Sequence, residues 1–127
     1  MSAVMDVDAG NWRDRVAASK DLVLVEFWHQ ACPWCRMLEP ILDEISEEFR
    51  GKVKFARLNI LESAENKVIA ATNGVFSTPT LVFYCEGRPI GSLVGLVGRD
   101  SLRQAIEQML VRHRECVERS SFLVDYV

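Results

Sequence analysis

No stretch of this chain approaches the roughly 18 to 20 consecutive apolar residues that a membrane-spanning helix needs, so no partnership with a bilayer is expected. Positive charge is not in excess either. Lys and Arg number 15 against 18 Asp and Glu, a net charge of −3, and no basic patch stands out, which argues against nucleic acid as a partner. Four cysteines in 127 residues are too few for a small secreted scaffold stapled by disulfides. Repeats, low-complexity stretches and linkers are missing. The opening "MSAVMDVDAG" holds two aspartates and no basic, apolar stretch, so it does not read as a signal peptide. The expectation is one domain over residues 1–127, cytoplasmic, where a CxxC pair is more often catalytic or metal-binding than a static staple.

What is present is a clear alternation of periods. Residues 8–20 read as a short helix around Trp12 and Val16. "LVLVEFW" (22–28) is apolar except for Glu26, the pattern of a strand covered on both faces. Leu38, Ile41, Leu42, Ile45 and Phe49 then trace one face of a helix. Pro40 lies inside that helix and Gly51 closes it. "VKFARLNI" (53–60) reads as a strand and residues 62–74 as a helix ending at Gly74. "TLVFY" (80–84) and "IGSLV" (90–94) flank "CEGR", the pattern of an antiparallel hairpin. A last helix begins near Asp100 and carries Leu102, Ile106, Met109, Leu110 and Val117 on one stripe. The closing "SSFLVDYV" has no clear period. The order implies an α/β fold with one mixed sheet and helices on both faces.

The chemistry concentrates in "WHQACPWC" (28–35). Cys32 falls where a strand gives way to a helix, and Pro33 suits the first helical turn. The helix dipole and unpaired backbone N–H groups there favour a thiolate at Cys32. Cys35 lies three residues on, on the same helix face and within disulfide reach. Cys32 is thus placed to attack a disulfide as the exposed sulfur, and Cys35 to resolve the mixed disulfide as the sheltered one.

Glu26 strengthens this reading. A carboxylate in a buried strand is costly without a use or a partner, and burial raises its pKa toward neutrality. It can then serve as base for Cys35; the competing reading is a carboxylate pointing into water at a sheet edge. "FSTPT" (76–80) puts Pro79 at a strand start. Taken alone, a trans Thr78–Pro79 bond is the commoner state, cis accounting for about 5–6% of X–Pro bonds.

Taken together, "VLVEFW", "CPWCRMLEPILDEISEEF", "VKFARLNI", "STPTLVFYCEG" and "LVGLVGRDSL" resemble the thioredoxin family in order and spacing, over roughly residues 3–111. Residues 112–127 exceed the resemblance and are read as a C-terminal helical extension and tail. The resemblance implies a thioredoxin fold, three layers α/β/α around a central mixed sheet of four to five strands, with Pro79 in the cis form. It implies a thiol-disulfide oxidoreductase, with Cys32 as nucleophile, Cys35 as resolving thiol and Glu26 as buried acid. Trp28, Pro33, Trp34, Thr78, Pro79 and Gly95 would surround the substrate groove. Clients would be disulfide-containing proteins, electrons would come from a reductase or a small thiol, and no metal or other cofactor is expected. The sequence departs from the common family site at Ala31, at Pro33-Trp34, at Glu26 in place of aspartate and at Thr78. Cys-Pro-aromatic-Cys is closer to glutaredoxins, and glutamate at position 26 is shared with disulfide isomerases, so glutathione-coupled or isomerase-like activity is an alternative. Trp34 brings no charge where strong thiol oxidants carry a histidine, which implies a more reducing couple than theirs.

Other readings compete. Cys85, at a hairpin tip, and Cys116, near the stripe of the last helix, are read as unpaired thiols; an exposed Cys85 would be open to glutathionylation. His113 and Cys116, joined to Cys32 and Cys35, would make a four-ligand zinc set. His29 is read as a solvated residue at the strand end, with tuning of Cys32 as the alternative. A binding module without turnover would use Trp28, Trp34 and "VGLV" (94–97) as its patch.

Overall fold

The computed structural model describes residues 2–125, with side chains through Ser120. Its centre is β2 (Leu22–Trp28), whose first six residues are all buried, as the apolar run requires. Parallel partners β3 (Val53–Asn59) and, beyond it, β1 (Val4–Val7) lie on one side. On the other side, β4 (Thr80–Cys85) runs antiparallel to β2, and β5 (Arg88–Val94) forms the edge. The sheet order is β1-β3-β2-β4-β5, so the α/β expectation is met with five strands.

Strand alternation divides the core into two layers. Leu22 and Leu24 of β2, Phe55 of β3, and Leu81 and Phe83 of β4 pack with Leu38, Leu42 and Ile45 of α1 (Pro33–Glu48). Leu102, Ile106 and Met109 of α3 (Arg99–Asp125) complete that layer. Val23, Val25, Phe27, Leu58, Val82 and Tyr84 face the other way, toward Val16 and toward Ala70 of α2 (Ala64–Thr72). Each fully buried Leu or Phe contributes about 1.5–3 kcal/mol relative to exposure. Ser63 caps α2 through its hydroxyl, which accepts the Asn66 N–H at 3.0 Å.

Four local features differ from the sequence reading. β1 was not expected: of its four residues only Val7 is buried, too weak a pattern to signal a strand. The helix expected over residues 8–20 is a single π-helical turn, Arg13–Ala17, that buries Val16. Cys85 is not at the hairpin tip. The turn is Glu86-Gly87, both with positive φ (49° and 80°), the combination a tight two-residue hairpin demands; Cys85 is therefore the last residue of β4 and fully buried. Finally, the expected helical extension is part of α3, which runs on to Asp125 and so takes in most of the stretch read as a tail, while residues 126–127 lie outside the described residues.

Candidate active site

The loop after β2 delivers Cys32 to the start of α1. Cys32 has extended backbone geometry and caps the helix, and Pro33 follows at the first helical position, where a missing N–H costs nothing. Cys32 and Cys35 form a disulfide, with their Cα atoms 5.3 Å apart. The Cys35 backbone N–H donates to Cys32 Sγ at 3.2 Å. That bond, at the positive end of the α1 dipole, puts a hydrogen-bond donor on the sulfur that opens the helix. The expected contrast of one exposed and one sheltered sulfur is not found: both are buried, Cys32 at 4% exposure and Cys35 at 1%.

Glu26 is completely buried, which excludes the carboxylate at a solvated sheet edge. Alternation along β2 puts it on the same sheet face as Leu22 and Leu24, the face α1 covers. Burial pushes its carboxyl up from 4.5 to about 7, although Arg57 pulls the other way by charge and by hydrogen bond. Arg57 Nε donates to Glu26 Oε1 at 3.1 Å. Among the described residues, Glu26 Oε2 has no hydrogen-bond partner, leaving that oxygen free to hold the proton. The Arg57 guanidinium lies 4.2 Å from the centroid of the Trp28 ring, and 3.8 Å separates it from the Glu39 carboxylate.

Arg57 escaped the sequence reading. Its signal was register: Glu26 and Arg57 are each the fifth residue of their strands and are direct partners across the parallel β2–β3 pair.

The other site residues gather at the same end of the sheet. The Thr78–Pro79 bond is cis, and the Gly95 N–H donates to the Pro79 carbonyl at 2.8 Å. Gly95 has φ +90°, a conformation that L side chains rarely adopt. Trp34, between the two cysteines, is exposed, as are Phe76, Val94 and Leu96 in the segments that flank Pro79 and Gly95. Phe76 had not been singled out. His29, Phe76 and Thr78 line one shallow hollow. His29 Nδ1 accepts the Ala31 N–H at 3.2 Å, so the histidine props the loop before Cys32 rather than standing free in solvent.

These features find their relatives at once. The family model described as Thioredoxin matches residues 3–108. The chain belongs to the thioredoxin family. It is 36% identical over 110 residues to Thioredoxin 1 of Nostoc sp., covering 87% of this chain and all of the relative. It is 37% identical over 110 residues to the thioredoxin of Synechocystis sp., again 87% of this chain and all of that one. With the chloroplastic Thioredoxin M4 of Arabidopsis thaliana it shares 37% identity over 108 residues, 85% of this chain and 54% of the plant protein. The Cys32–Cys35 pair fits the family's dithiol-disulfide exchange. No helix among the described residues is long and apolar enough to cross a membrane.

The remaining cysteines overturn one expectation and remove one competing reading. Cys85 and Cys116 are not unpaired thiols: they form a second disulfide, Cα to Cα 6.6 Å. The physical reason lies in the two periods. Leu81, Phe83 and Cys85 point to one sheet face, and Leu102, Ile106, Met109, His113 and Cys116 continue one stripe on the helix that covers it. The competing zinc quartet is thereby broken up, since Cys116 is bonded to Cys85 and Cys32 to Cys35.

Proposed function

We propose that this protein reduces disulfides of client proteins, with Cys32 as attacking sulfur, Cys35 as resolving sulfur and Glu26 as proton acceptor for Cys35. The observation that carries the reading is the Cys32–Cys35 disulfide at the α1 N-terminus, on the sheet face that holds the buried Glu26–Arg57 pair.

In the reduced protein, Cys32 thiolate attacks one sulfur of a client disulfide. A client–Cys32 mixed disulfide forms and the other client sulfur leaves, taking a proton. Glu26 then accepts the Cys35 proton, Cys35 attacks Cys32, and the second client sulfur departs as the protein disulfide closes. Two electrons pass to the client and none rest on a bound cofactor. The cis Pro79 and the Gly95 loop form one wall of the docking groove, with Trp34 and Phe76 as its apolar rim. An electron-donating reductase or small thiol would return the protein to the dithiol state. The reading is of a cytoplasmic protein, since the reductive direction needs a compartment that keeps Cys32 and Cys35 reduced.

DTT-driven insulin reduction by wild type and Cys35→Ser tests it. Turnover by wild type and its loss in the variant are expected; no turnover by either would favour a binding module instead.

A further inference from the structure

The second disulfide has a setting of its own. Cys85 ends β4, and Thr80, at the other end of that strand, is the register partner of Phe27 near the Cys32 loop. Thr80 and Cys85 lie about 17 Å apart along the strand, which puts the second disulfide at the opposite end of β4 from the Cys32 loop. Cys116 lies beyond residue 108, where the family match stops, and its disulfide thus depends on this chain's own extension.

The two sulfurs differ in access. Cys85 is fully buried, whereas Cys116 is partly exposed and lines a surface hollow of about 390 Å³. Three guanidinium groups line the hollow, those of Arg88, Arg112 and Arg119, against two carboxylates, Glu115 on its wall and Glu86, whose Oε2 lies 3.7 Å from Arg88 Nη2. Arg88 is held in place: its Nη2 donates to Ser120 Oγ at 2.6 Å and lies 3.3 Å from Cys116 Sγ. Arg112 Nη1 donates to the Ile90 carbonyl at 3.1 Å, fixing a second cation on the wall. A disulfide with one accessible sulfur, beside a cavity with a surplus of fixed positive charge, is built to receive a thiol that carries negative charge.

We propose that the Cys85–Cys116 disulfide is a second exchange site, which reacts through Cys116 with anionic low-molecular-weight thiols bound by Arg88 and Arg112. The thiol, as RS⁻, attacks Cys116 Sγ; the Cys85–Cys116 bond breaks, and Cys85 leaves and takes up the proton the incoming thiol released. A second RSH, likewise deprotonated, attacks the R sulfur of the mixed disulfide and expels Cys116 thiolate beside the Arg88 guanidinium. The products are RSSR and the reduced Cys85–Cys116 pair, two electrons having passed from two thiols to the protein. With that bond open, the covalent tie between β4 and α3 is gone. In reverse, Cys116 thiolate, favoured by Arg88, attacks RSSR and Cys85 resolves.

The test uses full-length protein carrying Cys32→Ser and Cys35→Ser, so that only the second disulfide reacts. Its opening is followed by alkylation and mass spectrometry with glutathione (carboxylates), coenzyme A (phosphates) and uncharged 2-mercaptoethanol at equal thiolate concentration. Each rate is divided by that on an unstructured disulfide peptide. At least one anionic thiol is expected to exceed 2-mercaptoethanol by about tenfold, the scale of local charge steering, with its adduct on Cys116. The favoured thiol tells whether the arginines select carboxylate or phosphate. Arg88→Gln with Arg112→Gln should abolish the advantage, and so should high salt on the unsubstituted arginines, which guards against misfolding of the double variant. Equal normalised rates for charged and uncharged thiols, an adduct on Cys85, or an advantage that survives both tests would overturn the proposal.

Discussion

Arg57 bridges Glu26 and Trp28: its Nε donates to the buried Glu26 carboxylate at 3.1 Å, and its guanidinium lies 4.2 Å from the Trp28 ring centroid. One cation therefore moderates the buried acid and braces an aromatic residue next to the Cys32 loop.

If Glu26 accepts the Cys35 proton, resolution of the mixed disulfide should speed up as pH rises through about 7, where Glu26 ionises. Glu26→Gln should slow that step by about 100-fold and remove the inflection near 7. Stopped-flow measurement of product release from a preformed Cys32 adduct reads both.

The same raised pKa bears on stability. Between pH 4.5 and about 7 the folded chain holds a proton at Glu26 that the unfolded chain has lost. Stability from this group is thus full below 4.5, falls as pH rises to about 7, and is level above it. The change is at most on the order of 3 kcal/mol. Urea unfolding across pH 4 to 9 should show this slope in wild type and its loss in Glu26→Gln. Arg57→Met removes the group that holds the carboxyl down, so the wild-type slope should extend to higher pH.

How much of this was legible beforehand depends on range. The apolar run of β2, the stripe of α1 and the Cys32-Pro33-Trp34-Cys35 motif are local patterns, and the fold places each as its pattern implies. Glu26 was conspicuous as a lone charge among apolar neighbours. Arg57 was not, because β3 also carries Lys54 and only strand register shows which cation meets Glu26. Cys85 and Cys116 stand 31 residues apart, and no short spacing marks such a pair. Reading "CEGR" as an exposed turn concealed the alternation that points Cys85 at α3, and the extra turns of α3 had no strong period to announce them.

The second disulfide closes a loop of 31 residues. In its oxidised form it should stabilise the chain by about 3–4 kcal/mol over Cys116→Ser, by restricting the unfolded state. Guanidinium titration of both proteins measures the difference, and a gap below about 1 kcal/mol would count against a closed bond.

Gly95 calls for φ +90° with open space around its Cα. Gly95→Ala therefore meets backbone strain and no clash, and should cost about 1–2 kcal/mol in thermal or urea unfolding.

Trp34 is exposed and uncharged inside the motif. Equilibration with glutathione should give a potential well below about −120 mV, the value of a strong thiol oxidant. Trp34→His, whose imidazolium stabilises the reduced thiolate, should raise the potential by about 30 mV, the equivalent of one tenfold step.

The central claim is that Cys32 attacks client disulfides and Cys35 releases the product. The most direct measurement is incubation of reduced Cys35→Ser with a disulfide-bonded client, followed by peptide mapping of the trapped adduct. The account predicts a stable mixed disulfide on Cys32 that wild type does not accumulate. An adduct on Cys85 or Cys116 with none on Cys32, while wild type reduces the same client, would contradict it.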